Sequence, residues 1–308
     1  MVPTRDRAER LPVLLEALAA QTLARDRYEV VAVDDGSADD TPRVLAAADV
    51  DRVVRHERSR GPAAARNRGW RAASAPLVAF TDDDCRPEPG WLEAGVRAHV
   101  SAPQAIVQGS TRPEPAGEPL LAASPHARSL RVDRLGPFFQ TCNVFYPRDV
   151  LERVDGFDDS IPTPSSEDAD LAMRALDAGA GAVFAADAVV NHEVAARSVT
   201  EALRFATRWR TLPALVRRHP SIRRAFPWRG RVWRETHARL LLALAGLALA
   251  PVHRAFLLWC VPYVTVRRGW RPHELRRAIA ELPAVAVVDA AEVAVLAWAS
   301  ARERTLFL

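Results

Sequence analysis

Apolar and polar residues follow two different periods along the first two thirds of the chain. Short apolar runs bounded by Pro, Gly or Asp indicate buried strands, whereas leucines at helical spacing, as in residues 11–18, indicate helices. The predicted strands are residues 28–33, a weak run at 52–54, and residues 77–80, 105–109, 138–146 and 188–192. Because strands and helices alternate, we expect an α/β fold with a mainly parallel sheet and helices on both of its faces.

Two segments between these strands are predicted to be a long loop and a helix. Residues 111–137 are rich in Pro and Gly and predict a long loop or lid, a kind of segment that often carries function. Residues 165–179 predict a helix that begins at Ser165 or Ser166 and ends near Gly179.

The pattern changes beyond residue 196. Residues 197–239 hold twelve arginines and two glutamates, so the basic charge of the chain is concentrated there. The apolar runs 240–252 and 255–266 are shorter than the roughly 20 residues of a spanning helix. The run 282–300 is long enough, but it carries Asp289 and Glu292 near its middle, where charge is costly in a bilayer.

This Arg-rich and apolar tail has two interpretations. It is either a helical subdomain that packs on the sheet or a surface that attaches to a membrane, with arginines drawn to anionic lipid. The juxtaposition of basic and apolar segments favours membrane contact. We expect no nucleic-acid partner, because the aromatic residues among the arginines (Trp209, Trp228 and Trp233) belong to no recognised binding motif.

Composition restricts the class of protein further. The 308 residues suffice for one large domain with an appendage or for two domains, and 49% hydrophobic with 26% charged residues is typical of globular proteins. The three cysteines are widely spaced and match no disulfide or zinc pattern, which favours a reducing, cytoplasmic setting. The first residues lack the basic and apolar regions of a secretory signal.

Two acidic clusters follow predicted strands directly. The sequence DDGS occupies residues 34–37 and TDDD occupies residues 81–84. In open α/β sheets ligands bind at this carboxyl edge of the strands. Three adjacent carboxylates raise one another's pKa unless a cation or hydrogen-bond donors compensate them, and helix capping needs only one Asp. A divalent cation with oxygen ligands therefore fits residues 82–84 better than capping, whereas residues 34 and 35 also fit a simple turn.

Seven motifs together resemble a known family. The chain is similar to the inverting family 2 glycosyltransferases with the GT-A fold over residues 2–195, and its tail is similar, more loosely, to the membrane-associated C-terminal extensions of some bacterial members. The motifs are VPTRDR (2–7), VVAVDDGSADDT (30–41), GPAAARNRG (61–69), AFTDDDCRPEPGWL (79–92), DGFDD (155–159), SSEDADLAMRALDAG (165–179) and VVNHE (189–193).

The resemblance implies inverting transfer of a sugar from a nucleotide-sugar donor, with a divalent cation, Mn²⁺ or Mg²⁺, as cofactor. It implies that Asp168, beside Glu167, is the catalytic base. The metal ligands that it implies are Asp82, Asp84 and His192. The nucleotide-binding residues that it implies are Thr4, Arg5, Asp34, Asp35, Arg66 and Asp83.

Elementary chemistry agrees with these roles. Displacement at an anomeric carbon requires a carboxylate that deprotonates the acceptor hydroxyl, and a cation that stabilises the leaving diphosphate. Without the resemblance, the better explanation of Asp168 is a first-turn acid favoured by the helix dipole. His192 is then a hydrogen-bonded structural residue at a strand end, and Arg66 a solvated helix residue.

Two features depart from the family pattern. Only Met1 and Val2 precede Pro3, so the first strand is short of the four or five apolar residues usual in the family, and the catalytic domain, residues 1–195, is expected to have a truncated first strand. In the helical region, residues 196–308, Phe205 stands where processive synthases have Gln before an Arg-Trp pair, so processivity is not expected.

The sequence thus favours a glycosyltransferase of cell-envelope glycan or glycolipid synthesis at the inner face of the cell membrane. We expect its acceptor to be a glycan or a lipid-linked sugar. Transfer to a soluble metabolite or protein is one alternative. A non-catalytic protein that binds a nucleotide-sugar or acts as a scaffold of glycan assembly is another.

Overall fold

The computed structural model describes residues 1–161, 165–265 and 272–308. They form two units. The N-terminal unit comprises Met1–Leu121 and Arg128–Ala195, and the C-terminal unit comprises Ala122–Ala127 and Ala196–Leu308.

Strands form the centre of the N-terminal unit. They are β1 (Val2–Thr4), β2 (Val31–Asp34), β3 (Arg52–Arg55), β4 (Leu77–Phe80), β5 (Cys85–Pro87), β6 (Ala105–Pro113), β7 (Val144–Pro147) and β8 (Gly181–His192). Strands β1, β2 and β3 pair in parallel in that order, and the other strands follow the order β4-β7-β6-β8-β5. Met1 bonds to Ala79 and Thr81, which places β1 beside β4. Strands β5 and β7 run against the others, so the sheet is mostly parallel.

Helices cover both faces of this sheet. They are α1 (Leu11–Ala19), α2 (Thr41–Ala47), α3 (Pro62–Ala72), α4 (Trp91–Ser101), α6 (Arg148–Arg153) and α7 (Glu167–Asp177), whereas the short helix α5 (Glu118–Ala123) has no buried residue. One core cluster joins Leu14 of α1 and Trp91 of α4 to the sheet, and a second joins Leu171 of α7 to Phe80 and Tyr146. The predicted α/β fold class is confirmed.

Several element boundaries differ from the prediction. The strand predicted for residues 138–146 is confined to β7, because residues 141–143 form a 3₁₀ turn that ends at the buried Asn143. Strand β8 begins at Gly181 instead of residue 188, since its first half pairs in parallel with β6 before a register shift at Gly109 and Ser110. Residues 111–137 include the end of β6 and helix α5, and β5 was not predicted at all.

An apolar cavity of about 230 Å³ lies beside the start of β1. Val30 and Val31 line one side and Leu77 and Val78 line the other, so the cavity lies where β1 would continue backwards between β2 and β4. The α-amino group of Met1 donates a hydrogen bond to Ala79 O over 2.8 Å, and burial lowers the pKa of this amine to about 5.

Helices and 3₁₀ turns build the C-terminal unit. The helices are α8 (Val199–Ala206), α9 (Leu212–Arg218), the single turn α10 (Pro227–Gly230), α11 (Glu235–Leu249), α12 (Val261–Thr265) and α13 (Pro272–Glu303). Among the described residues, none of the helices combines the length and the hydropathy needed to cross a bilayer.

The acids in the middle of α13 are paired inside this unit. Glu292 accepts hydrogen bonds from Arg234 at 2.8 Å and from the indole of Trp209 at 3.1 Å, and His237 Nε2 lies 2.9 Å from the same carboxylate. Burial raises the pKa of Glu292, but His237 and Arg234 outweigh it and lower the pKa to about 2. Asp289 accepts a hydrogen bond from the hydroxyl of Tyr263 over 2.9 Å. The two charges therefore belong to a buried polar network of the helical unit.

Candidate active site

The three consecutive aspartates lie on the short connection between β4 and β5. Pairing of β5 with β8 sets Cys85 opposite His192, and Glu193 N donates to Asp84 O over 2.9 Å. This register brings the side chain of Asp84 next to that of His192. Ligand atoms of Asp84, Cys85 and His192 all lie within 4.8 Å of one another.

The tautomer of His192 suits a metal ligand. Its Nδ1 lies 2.8 Å from the carbonyl oxygen of Glu193, which can only accept, so the neutral imidazole carries its hydrogen on Nδ1. The lone pair of Nε2 then faces Asp84 Oδ1 across 3.7 Å. One cation can bind both an imidazole nitrogen and a carboxylate oxygen, and a carbonyl partner on the second nitrogen is typical of ligating histidines.

The donor set also fits the hard cations predicted from the sequence. Carboxylate oxygens and one imidazole nitrogen suit Mn²⁺ or Mg²⁺. Burial, together with the neighbouring Cys142 and Asp84, raises the pKa of the Cys85 thiol, which keeps the thiol neutral. Burial and the charge of Asp84 raise the pKa of Asp83 to about 7, against the opposing effect of Thr4 and Arg7.

A loop at the end of β1 contacts the middle aspartate. Arg5 N lies 3.4 Å from Asp83 Oδ2, and the guanidinium of Arg7 lies 3.5 Å from Asp83 Oδ1. Thr4 is buried, and its carbonyl oxygen accepts a hydrogen bond from Asp35 N over 2.9 Å. The predicted nucleotide residues of β1 and β2 are thus connected to the aspartate loop. Arg7 was not predicted from the sequence, because only Thr4 and Arg5 were selected from the motif VPTRDR.

Arg66 connects the aspartate loop to the acidic pair of α7. It is buried on α3, and its guanidinium donates to Asp82 Oδ1 over 2.8 Å and to Glu167 Oε1 over 3.1 Å. Asp168 Oδ1 lies 3.6 Å from the same guanidinium. Burial lowers the pKa of Arg66, but the three carboxylates outweigh burial and raise it above its ordinary value. Arg66 is therefore a permanently charged bridge among three acids.

Asp168 and Glu167 differ in accessibility. The side chain of Glu167 is 5% exposed, and its carboxylate is taken by Arg66 and by Ser166 N. The side chain of Asp168 is 24% exposed. Thr141 holds it, because its backbone N donates to Oδ2 and its hydroxyl donates to Oδ1, each over 3.1 Å. Burial and the charge of Glu167 raise the pKa of Asp168 to about 7, against the opposing effect of Arg66. Asp168 is the acid of this pair that a substrate can reach.

Asp34 and Asp35 take part in local hydrogen bonds at the end of β2. Asp34 Oδ1 accepts from Ser37 N over 2.9 Å, and Arg55 Nε lies 3.2 Å from Asp34 Oδ2. Both oxygens of Asp35 are used by the segment that leads into α3, as the following four contacts show. His56 Nδ1 lies 2.7 Å from the carboxylate, the hydroxyl of Ser59 donates over 2.6 Å, and Arg60 N and Gly61 N donate over 2.9 Å each.

These bonds explain the ionisation state of Asp35. Burial raises its pKa, but the backbone of Arg60, the hydroxyl of Ser59 and His56 outweigh burial and lower the pKa. The carboxylate fixes the segment at 56–61 and thereby the start of the helix that carries Arg66. His56 and Ser59 were not found from the sequence, because nothing in their spacing points to a residue more than twenty positions away.

Gly36 is required where this segment crosses the end of β2. Its φ is +74°, and a Cβ at this position would lie 2.7 Å from Ser59 N. Any other residue would therefore push the segment away from Asp35.

The predicted residues form one continuous site at the carboxyl edge of the sheet. Asp84 and His192 lie on one side, Asp168 and Glu167 lie on the other, and Arg66 with Asp82 joins them. Thr4, Arg5 and Asp83 lie along the same edge and connect to Asp35. Contacts with a nucleotide remain a prediction for these residues.

Comparison with known proteins identifies the family. A family model described as Glycosyl transferase family 2 matches residues 1–155, half of the chain. The chain therefore belongs to glycosyl transferase family 2, which confirms the resemblance found in the sequence.

Curated relatives are similar over the same region. Glycosyltransferase AglE of Haloferax volcanii is 30% identical over 200 residues, 62% of this chain and 65% of AglE. Validoxylamine A glucosyltransferase of Streptomyces hygroscopicus is 30% identical over 210 residues, 56% of this chain and 50% of the relative. Glucosyl-dolichyl phosphate glucuronosyltransferase of Haloferax volcanii is 33% identical over 109 residues, 34% of each chain. The chain spans between a third and two thirds of the length of these relatives.

Solved structures share the fold. The mannosyltransferase PcManGT from Pyrobaculum calidifontis, solved in complex with GDP-Man and Mn²⁺, matches with a TM-score of 0.58 and 22% identity over 91% of this chain and 85% of its own. Residues 1–349 of TarS from S. aureus, in complex with UDP-GlcNAc, match with a TM-score of 0.54 and 16% identity over 99% of this chain and 91% of TarS. At these identities the similarity shows the fold, which is GT-A.

Proposed function

We propose that this chain is a metal-dependent, inverting glycosyltransferase that moves a sugar from a nucleotide-sugar donor to an acceptor hydroxyl. The observation that carries the proposal is the bridge made by Arg66, which holds the aspartate loop and the acidic pair of α7 on one guanidinium. The side chain of Arg66 thus connects the proposed base to the proposed cation site. Displacement at an anomeric carbon requires both groups close together.

Asp168 is the base in this proposal. Its partly exposed carboxylate accepts the proton of the acceptor hydroxyl, and its pKa of about 7 suits proton transfer near neutral pH. Thr141 fixes the orientation of the carboxylate through two hydrogen bonds. Glu167 pairs with Arg66 and keeps that guanidinium in place.

Asp84 and His192 would hold the divalent cation, together with Asp82, whose Oδ1 also accepts a hydrogen bond from Arg66. When bound, Mn²⁺ or Mg²⁺ supplies a Lewis acid that stabilises the growing negative charge of the leaving diphosphate. Arg5 and Arg7 lie beside the aspartate loop with side chains that are 55% and 41% exposed, and in this proposal they contact the same phosphates. The solved relative PcManGT, which carries Mn²⁺ and GDP-Man, supports this assignment.

We further propose a lipid-linked sugar or glycan as acceptor, in cell-envelope synthesis at the cytoplasmic face of the membrane. The Arg-rich and apolar sequence of residues 197–266 supports this location. One relative is named for a glucosyl-dolichyl phosphate, which supports this class of acceptor.

Thermal unfolding with nucleoside diphosphates tests the donor site. UDP, GDP and dTDP are each added with and without Mn²⁺ to the wild type, to Asp84→Ala and to Asp187→Ala, a control whose side chain is 83% exposed. At 100 times its dissociation constant, a ligand of the folded state adds about 2.7 kcal/mol of stability. We expect one nucleotide to stabilise the wild type and the control only with Mn²⁺, and Asp84→Ala to lose this effect. If no nucleotide stabilises the wild type with either Mn²⁺ or Mg²⁺, the transferase proposal is wrong.

A further inference from the structure

The C-terminal unit presents a concentrated apolar surface. In residues 244–259, here called the apolar hairpin, thirteen of sixteen residues are exposed. Val252 is 78% and Leu258 is 68% exposed. The large apolar side chains exposed in the hairpin are Leu244, Leu247, Leu249, Val252, Leu257, Leu258 and Trp259. Single exposed apolar residues are ordinary on a protein surface, but a contiguous group of this kind marks an interaction site.

The apolar hairpin is a packed structure. The second half of α11 lies against the 3₁₀ turn Arg254–Cys260, and a Cβ on Gly246 would lie 2.5 Å from Phe256 O. The rings of Phe256 and Trp259 make an edge-to-face contact at 5.1 Å. Because this close packing fixes the backbone, the leucines and Val252 are held outward by the fold.

The charge around the apolar hairpin favours one kind of partner. The sequence from residue 236 to residue 273 contains no Asp or Glu, whereas it contains five arginines. Arg254, at the tip of the hairpin, is exposed. An exposed apolar surface with an arginine at its tip and no acid in the surrounding sequence complements an anionic lipid surface, where apolar side chains enter the interface and arginines contact headgroups.

We propose that the apolar hairpin, residues 244–259, docks this chain on the surface of an anionic bilayer. Val252 and the leucines enter the boundary between headgroups and acyl chains, and Trp259 lies at the level of the headgroups, where tryptophan is enriched. The inference deepens the membrane location proposed above, and its test does not depend on the reaction at the active site, because it rests on the exposed residues of the hairpin and on the charge around them.

Sedimentation with sucrose-loaded vesicles tests this proposal on the full chain. The vesicles contain phosphatidylcholine alone or with 30% phosphatidylglycerol. The double variant Val252→Glu/Leu258→Glu is compared with the wild type and with Val100→Glu/Leu135→Glu, which makes the same charge change at exposed positions of the N-terminal unit. Circular dichroism verifies that each variant is folded.

We expect the wild type and the control to bind anionic vesicles, and the hairpin variant to bind at least about tenfold more weakly, since burial of one Leu or Val side chain contributes about a factor of ten or more. Binding of the wild type should weaken between low and high salt, because arginine contacts with headgroups are screened.

Three results would overturn the proposal. The first is a wild type that stays in solution with anionic vesicles. The second is equal binding to uncharged vesicles, which would contradict the choice of an anionic surface. The third is a wild type that is dimeric without lipid while the variant Val252→Glu/Leu258→Glu is monomeric. The hairpin would then be an interface between two copies of the chain. The first two tests use the wild type and do not depend on the folding of a variant.

Discussion

The substitution Thr141→Val removes one of the two hydrogen bonds that hold the carboxylate of Asp168. The hydroxyl of Thr141 donates to Oδ1 and its backbone N donates to Oδ2, each over 3.1 Å, and valine keeps only the second bond. Both bonds stabilise the charged carboxylate, so each lowers its pKa relative to burial alone. Loss of one bond must therefore raise the pKa of Asp168.

The size of this rise follows from the strength of the bond. A hydrogen bond to a charged group contributes about 1.5–3 kcal/mol, and we take the lower end because the side chain of Asp168 is 24% exposed. About 1.5 kcal/mol corresponds to about one pKa unit. We therefore expect the pKa to move from about 7 in the wild type to about 8 in the variant.

The pH dependence of kcat/KM measures this change. A general base acts in its deprotonated form, so the rate rises with pH through the pKa of Asp168. The acidic limb of the profile should move up by about one unit in Thr141→Val, with a rate about tenfold lower at pH 6 and nearly equal rates above pH 9. Thr141→Ser keeps the hydroxyl and should keep the wild-type limb. An unchanged limb in Thr141→Val, measured beside an inactive Asp168→Asn, would refute the reasoning.

Three further changes have defined outcomes. Arg66→Met leaves three carboxylates without the guanidinium that they share, and it should lower the free energy of unfolding in urea by about 3–5 kcal/mol. An unchanged urea midpoint would contradict the bridging role of Arg66. Gly36→Ala, at φ +74°, should cost at least about 1–2 kcal/mol by the same measurement, and equal stability would show that the segment at Ser59 can move aside. Four apolar residues added before Met1 should fill the cavity and raise Tm. In the wild type, the α-amino group of Met1 binds more protons in the unfolded chain than in the folded chain between pH 5 and pH 8. The free energy of unfolding therefore rises with pH in this range. The extension should abolish that rise, and a lower Tm would contradict the cavity assignment.

The sequence predicted the fold class because apolar runs record which face of each element is buried. It did not predict β5, since a strand of three residues that ends in a proline shows no apolar period. The first half of β8 was missed for a related reason: its burial alternates irregularly, and the register shift against β6 depends on a partner strand more than seventy residues away.

The acidic residues of the site were predictable because carboxylates are grouped in the sequence next to strand ends. Their supporting residues were not, since Thr141 and His56 reach their partners only through the tertiary fold. Arg66 was selected as a nucleotide residue, but its bonds to Asp82 and Glu167 became visible only in the structure. Asp289 and Glu292 were noted as charges in an apolar run, and the structure shows that they pair within the helical unit.

One measurement tests the proposed base most directly, namely the rate of sugar transfer by Asp168→Asn at a saturating concentration of donor. The donor carries the nucleotide found by thermal unfolding, and Asp187→Asn is the exposed control. General-base catalysis contributes about 10²–10⁴-fold, so we expect Asp168→Asn to bind nucleotide and Mn²⁺ with wild-type affinity and to transfer sugar at least about 100-fold more slowly. Asp187→Asn should transfer at the wild-type rate. Transfer by Asp168→Asn at the wild-type rate would contradict the assignment of Asp168 as the base.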